Sequence, residues 1–130
     1  MSTRAVYGFK DSRGTHWVYV HHDGYPTGAA SKFDAVLKSK LAWPLPRWEA
    51  DEFGAAFVAA NKTGPGSVML TSGPDAHDDI EYVYVVTDQL EDGKLRLTAS
   101  YPGNGEPFFQ GTLTTFVKTA KQIENKLHQD

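Results

Sequence analysis

Tyr19-Val20-His21-His22-Asp23-Gly24-Tyr25-Pro26-Thr27-Gly28-Ala29-Ala30 gathers two imidazoles, a carboxylate and the start of a helical pattern into one short stretch. Strand-like alternation breaks at Asp23-Gly24, and apolar residues at helical spacing begin just beyond it. A helix start presents unpaired N–H groups and the positive end of the helix dipole; glycines let a ligand approach the backbone, and a histidine adds a donor that titrates near neutrality. Together these suit a phosphate. The amides of Thr27, Gly28 and Ala29 with His21 or His22 would hold the anion, and Asp23 would fix the turn or a ribose hydroxyl. The same residues also suit a plain turn, in which Asp23 accepts from the backbone, Gly24 takes a positive φ, Tyr25 packs and Pro26 stiffens the helix start.

Other chemistries find less in the sequence. Neighbouring strand residues point to opposite faces, so His21 and His22 do not readily share an ion, and neither an HxH nor an HExxH spacing occurs. His16 with His22, or His77-Asp78-Asp79, would need folding to bring them together, so neither metal nor cofactor is expected. There is no cysteine, no GxSxG element and no serine whose neighbours mark it as activated, so no catalytic residue is assigned. A histidine-based phosphodiesterase would have to pair His21 with His16, His77 or His128.

Trp17, Tyr19, Tyr25, Trp43, Trp48, Tyr82, Tyr84, Tyr101, Phe108 and Phe109 exceed what a single small core requires, and several adjoin turns. Aromatic faces stack on bases, and Arg13, Arg47 and Arg96 could meet phosphate; the same rings could instead build the core or a subunit interface. In the nucleotide reading Tyr25 or Trp43 stacks on the base while Arg47 neutralises charge. The surplus of rings also leads us to expect a homo-oligomer.

Composition bounds the rest. With 130 residues and 40% apolar content the chain supports one domain, 1–130. No apolar run reaches membrane-spanning length, and Met1-Ser2-Thr3-Arg4 leads straight into a strand pattern, so a cytoplasmic protein without a membrane partner is expected. A net charge of −3 argues against direct nucleic-acid binding. Residues 63–93 contain no Lys or Arg but seven acids, Asp75, Asp78, Asp79, Glu81, Asp88, Glu91 and Asp92. Such a run discourages edge-to-edge strand pairing, or forms a face for a basic partner.

These residues must be positioned by an α+β domain. Thr3–Lys10, with Ala5, Tyr7 and Phe9 on one face, and Thr15–His22, with Val18 and Val20 opposite Trp17, Tyr19 and His21, form a hairpin through Asp11-Ser12-Arg13-Gly14. Ala30, Phe33, Leu37 and Leu41 give a helix over Thr27–Leu41, capped near Thr27 or Gly28. Trp43-Pro44-Leu45-Pro46-Arg47-Trp48 must be extended, and a second helix runs from Glu49 to the breaker Thr63-Gly64-Pro65-Gly66. Ser67–Thr71, Asp79–Thr87 and Lys94–Tyr101 read as strands, the last two joined at Glu91-Asp92-Gly93. Asp79–Thr87 is apolar on both sides, so both its faces should be covered. Residues 112–128 form a final helix with Phe116, Val117, Ala120, Ile123 and Leu127 inward. The expected fold is a mainly antiparallel five-stranded sheet with three helices, in the order β-β-α-α-β-β-β-α.

The segment Tyr19–Pro26, with its DGYP turn, and the segment Leu41–Lys62, with WPLPRW followed by DEFGAAFVAANK, resemble small phage and prophage proteins that share these elements. The resemblance covers about the first half of the chain and implies a counter-defence role in a host cytoplasm. On that footing the leading expectation is a protein that binds and sequesters a nucleotide-derived immune signal, with His21, His22, Asp23, Gly24, Tyr25, Thr27, Gly28, Trp43 and Arg47 as its ligand-binding residues. The alternatives are an anti-CRISPR-like inhibitor of a host defence protein that uses the acidic face, and a metal-independent phosphodiesterase that degrades the signal.

Overall fold

A computed structural model of the chain describes residues 3–91, 93–103 and 105–128, without the side chains of 89–91. The opening hairpin is β1 (Ala5–Asp11) and β2 (Gly14–Val20), paired in antiparallel register from Ala5↔Val20 to Asp11↔Gly14. Helices α1 (Pro26–Ser39) and α2 (Ala50–Asn61) follow, then β3 (Val68–Thr71), β4 (Tyr82–Glu91), β5 (Lys94–Ser100), β6 (Phe109–Thr112) and α3 (Leu113–Leu127). The sheet order is β3-β2-β1-β4-β5-β6. β1 pairs with β4 in parallel, Ala5↔Tyr82 through Lys10↔Thr87, and every other pairing is antiparallel.

The α+β class and the three helices are as expected, but the sheet has six strands and is mixed. The missing strand, β6, is four residues long and contains Gly111, so it shows no alternation; only its pairing with β5 makes it a strand. The parallel pair is equally invisible locally, because the hairpin, both early helices and β3 intervene between β1 and β4.

All three helices pack on one face. There Tyr7, Phe9, Val18, Val20, Tyr84, Val86 and Leu97 meet Phe33 and Val36 of α1, Phe53 and Phe57 of α2, and Leu113 and Phe116 of α3. Tyr7 is the hub, with ring centroids 4.8 Å from Phe57, 5.2 Å from Tyr84 and 5.5 Å from Phe33. Aromatic pairs of this kind add about 0.5–1.5 kcal/mol each beyond their buried area. Of the ten rings counted as surplus in the sequence, only Tyr19 and Tyr84 are buried; Trp17, Trp48, Tyr82, Phe108 and Phe109 pack half-buried against the two clusters, and Trp43 and Tyr101 stay exposed. The other face carries a small cluster of Val6, Tyr19 and Val83, with Trp17, Ile80 and Val85 against it. Among the described residues no helix packs on it; Ile80 and His77, from the segment before β4, cover part of it, His77 stacking on Tyr19 at 3.9 Å and Val83 of β4 buried beneath. Gly8 is required on this face, since a Cβ there would lie 2.7 Å from the Trp17 ring.

Helix starts depart from local expectation. Tyr25 is the N-cap of α1, with Pro26 in its first turn, and makes no side-chain cap hydrogen bond; Glu49 caps α2 without one either. Distant carboxylates take over. Glu124 Oε1 on α3 accepts from Thr27 N and Thr27 Oγ1, both at 3.0 Å. Asp11 Oδ2 at the end of β1 accepts from Ala50 N at 3.0 Å. Only α3 is capped locally, by Thr112 Oγ1 accepting from Thr115 N at 3.1 Å.

Candidate functional site

The expected ligand residues fall into two groups at opposite ends of α1. His21, His22, Asp23, Gly24, Tyr25, Thr27 and Gly28 surround its N-terminus. Trp43 and Arg47 lie beyond its C-terminus at Ser39, about 20 Å away along a helix that rises 1.5 Å per residue. They do not form one site.

At the N-terminal corner the chain satisfies itself. Asp23, rather than Gly24, takes the left-handed conformation, with φ 59°. Gly24 is needed for close approach: its N–H donates to Thr3 O at 2.8 Å, its carbonyl accepts from Tyr84 Oη at 2.6 Å, and a Cβ would sit 2.7 Å from Ala5 Cβ. Gly28 lies against Asp23, whose carbonyl oxygen would be 2.0 Å from any Cβ at that position. The two glycines thus admit the protein's own backbone. The positive end of the helix is met by Glu124, and Lys32 Nζ donates to Asp23 O at 3.3 Å while burial lowers the Lys32 ammonium from its ordinary pKa. A phosphate would have to displace the Glu124 carboxylate from Thr27. The corner is a tight turn whose details differ from the turn reading: Asp23 takes the positive φ expected of Gly24, and its side chain accepts from the Tyr25 hydroxyl at 3.1 Å.

β2 ends at Val20, so His21 and His22 lie past the strand and the opposite-face argument does not apply; their rings meet edge to face at 4.7 Å. His21 Nδ1 is 3.1 Å from Tyr19 Oη and accepts from Arg4 Nε at 3.3 Å. Arg4 Nε is also 2.8 Å from Asp79 Oδ2, which accepts from Tyr19 Oη at 3.3 Å. Burial is the first cause of a raised Tyr19 hydroxyl pKa, and the Asp79 charge adds to it. The histidine pair that comes closest to the hydrolase expectation is therefore His21 with His77, both against Tyr19, while His16 lies exposed on β2 and His128 at the end of α3. The guanidinium beside these rings is committed to Asp79. Among the described residues no group of three or more His, Cys, Asp or Glu side chains is arranged to hold a metal.

The acidic run is also divided. Asp79 faces Arg4, and Glu81 Oε2 accepts from Arg4 N at 3.3 Å, whereas Asp88 lies six residues along β4 from Tyr82, about 20 Å away at 3.3 Å per residue. The Glu91 side chain and Asp92 lie outside the described residues.

The connector builds the apolar cleft. Leu37, Lys40, Trp43, Leu45, Trp48 and Leu95 are among the residues lining a cavity of about 430 Å³, within the size range of small-molecule sites. Leu37 and Leu41, expected to face the core, are 39% and 54% exposed, because Val36 takes the inward position and α1 ends at Lys40 with φ 60°. Trp43, also outside the core, is 38% exposed. Its backbone N–H is 3.3 Å from both Glu52 carboxylate oxygens, and the Arg47 guanidinium lies 3.2 Å over its ring. Arg47 Nη2 reaches Glu49 at 3.4 Å. The Leu45–Pro46 bond is cis. Trp48 is held from behind by Phe53, 5.0 Å between centroids, and by donating Nε1–H to Lys10 O at 3.1 Å. Sequence reasoning found Trp43 and Arg47 but missed Lys40, Glu52 and Leu95, which reach the cleft from three other elements of the fold.

No protein-family model, curated protein or solved structure compared with the chain matches it. Among the described residues no helix is long and apolar enough to cross a membrane.

Proposed function

We propose that this protein sequesters a nucleotide-like small molecule, and that the connector cleft rather than the start of α1 receives it. One observation carries the reading: a cleft of about 430 Å³ with apolar and aromatic walls has Arg47 stacked on Trp43, with Lys40 also in its lining. A heterocycle gains area against Leu37, Leu45 and Trp43, its phosphate meets Arg47 and Lys40, and Glu52 accepts from an amine or a ribose hydroxyl. The lining residues include no hydroxyl, thiol or imidazole, which favours holding the ligand over cleaving it. The resemblance to phage proteins makes host signalling nucleotides the first class to test.

Calorimetry with cyclic dinucleotides and ADP-ribose derivatives tests this. Trp43→Ala is expected to weaken binding by at least about fivefold, from the worth of a base–aromatic stack. Arg47→Ala should weaken it by about tenfold, from the worth of a hydrogen bond to a charged group. His22→Ala should have no effect, and heat should release the ligand intact. Binding that survives both cleft variants, or no binding of either class, overturns the assignment. If the protein instead captures a host protein complex, and charge reversal at the exposed Asp75 and Asp78 abolishes that capture, the inhibitor reading replaces it. A homo-oligomer remains part of the proposal, with exposed Met69 and Leu70 of the edge strand β3 as the surface for a second copy; light scattering that shows a monomer at high concentration removes it.

A further inference from the structure

At the end of the sheet far from the connector, Tyr25, Tyr82, Tyr101, Glu81, Glu124 and His128 line a second cleft, of about 550 Å³. Its aromatic wall is built in. The Tyr82 and Tyr101 centroids are 5.6 Å apart at 34°, and Phe108 backs both rings, at 6.0 Å and 5.2 Å. Tyr82 also stacks on the core residue Tyr84 at 6.1 Å, while Tyr101 is 48% exposed and presents its ring to the cleft.

The two carboxylates are positioned by hydrogen bonds, Glu124 at the positive end of α1, and among the described residues neither has a cationic side chain as partner. Glu124 is held by the amide and hydroxyl of Thr27, and Glu81 by the backbone N–H of Arg4. Among the described residues neither forms an ion pair, and neither Lys nor Arg lines the cleft. Burial is the main cause of a raised Tyr82 hydroxyl pKa, and Tyr101, Glu124 and Glu81 each push it further the same way, which agrees with a negative potential in the cleft. Aromatic faces and carboxylates without a cationic partner attract the same kind of ligand. A hydrated inorganic ion uses only the carboxylates, whereas an alkylammonium or guanidinium group also gains from the rings.

We propose that this tyrosine-lined cleft binds a small organic cation carrying an alkylammonium or guanidinium group. The site is separate from the connector cleft and selects the opposite charge, so either assignment can fail without the other.

The test titrates the full chain with spermidine, tetramethylammonium, arginine methyl ester and, as a charge-only control, Mg²⁺, following the ring proton resonances of Tyr82 and Tyr101. The organic cations are expected to shift both rings, and Mg²⁺ to shift neither. Combining Glu81→Gln with Glu124→Gln keeps the oxygens that accept from Arg4 and Thr27 but removes the charge, and should weaken spermidine by about tenfold. Tyr101→Leu should weaken tetramethylammonium by roughly two- to fivefold. If the double variant melts at a lower temperature than the parent, Glu81→Gln alone serves, with a proportionate loss expected. Ring shifts absent with every organic cation would overturn the proposal. So would spermidine affinity that is unchanged by the glutamine variants or lost on neutralising Asp75 and Asp78, and so would Mg²⁺ matching spermidine.

Discussion

Removing the Glu124 side chain should destabilise α1 at the opposite end of the sequence. Its Oε1 serves two donors at Thr27, and the local N-cap, Tyr25, contributes no side-chain bond. A hydrogen bond to a charged partner is worth about 1.5–3 kcal/mol, loss of an N-cap costs about 1 kcal/mol, and a charge near a helix start adds about 0.3–1 kcal/mol. These figures overlap, since they describe the same atoms. Glu124 is partly exposed, so water recovers some of the loss, and Glu124→Ala should cost about 2 kcal/mol. For a domain of this size that lowers Tm by roughly 6–10 °C. Glu124→Gln keeps an acceptor and loses the charge, so about 0.5–1 kcal/mol is expected from the dipole contribution alone. Urea and thermal unfolding followed by circular dichroism give both values. A Glu124→Ala protein within about 0.5 kcal/mol of the parent would refute capping across the fold, since even a weak N-cap is worth that much. Inorganic phosphate provides a second readout: it should raise the Tm of Glu124→Ala, where the Thr27 amide is freed, and leave the parent unchanged. A parent stabilised as much as the variant would restore the start of α1 as an anion site.

Two further perturbations separate buried hydroxyls that look alike in sequence. Tyr84 Oη donates to Gly24 O at 2.6 Å in the core, so Tyr84→Phe strands a buried carbonyl and should cost about 1–3 kcal/mol. Tyr7 Oη is buried without a hydrogen-bond partner among the described residues, so Tyr7→Phe should be neutral or raise stability by up to about 1 kcal/mol in the same unfolding assay. Asp11 is expected to titrate far below an ordinary carboxyl, at about 2, because the Ala50 and Arg13 backbone N–H groups and the Arg13 side chain favour its ionised form. Since the folded pKa lies below the unfolded one, the stabilisation from Asp11 is complete above about pH 4, where the unfolded carboxyl is ionised, and is lost as pH falls toward 2. Carboxyl chemical shifts report the midpoint, and Asp11→Asn should flatten acid unfolding over that window.

Much of the fold was legible because its signals are local. The alternation of Ala5, Tyr7 and Phe9, the Asp11–Gly14 turn, the prolines between Trp43 and Trp48, and the inward placing of Phe116 and Ala120 all follow from backbone periodicity and turn chemistry acting over a few residues. Where a position had two adequate neighbours, local reasoning failed. Val36 and Leu37 are both apolar at the end of α1, and only the sheet beneath decides that Val36 turns in and Leu37 opens onto the cleft. The histidine corner is similar. Its types fit a phosphate site and a turn equally well, and Glu124, 97 residues away from Thr27, settles who meets the helix dipole.

The sequence by itself determined the three helices, five of the six strands, the hairpin, the apolar faces of β1, β5 and α3 and the connector that carries Trp43 and Arg47, because each depends on the residue's own conformational preferences and those of its near neighbours. Only the tertiary structure decided that β1 pairs in parallel with β4, that Phe109–Thr112 is a strand, that helices α1 and α2 are capped by Glu124 and Asp11, and that Trp43 and Tyr25 belong to different clefts. Hydrogen-bond partners and cavity walls are drawn from residues far apart in the chain. Which of them come together depends on how the whole apolar surface is buried at once, and no single segment encodes that.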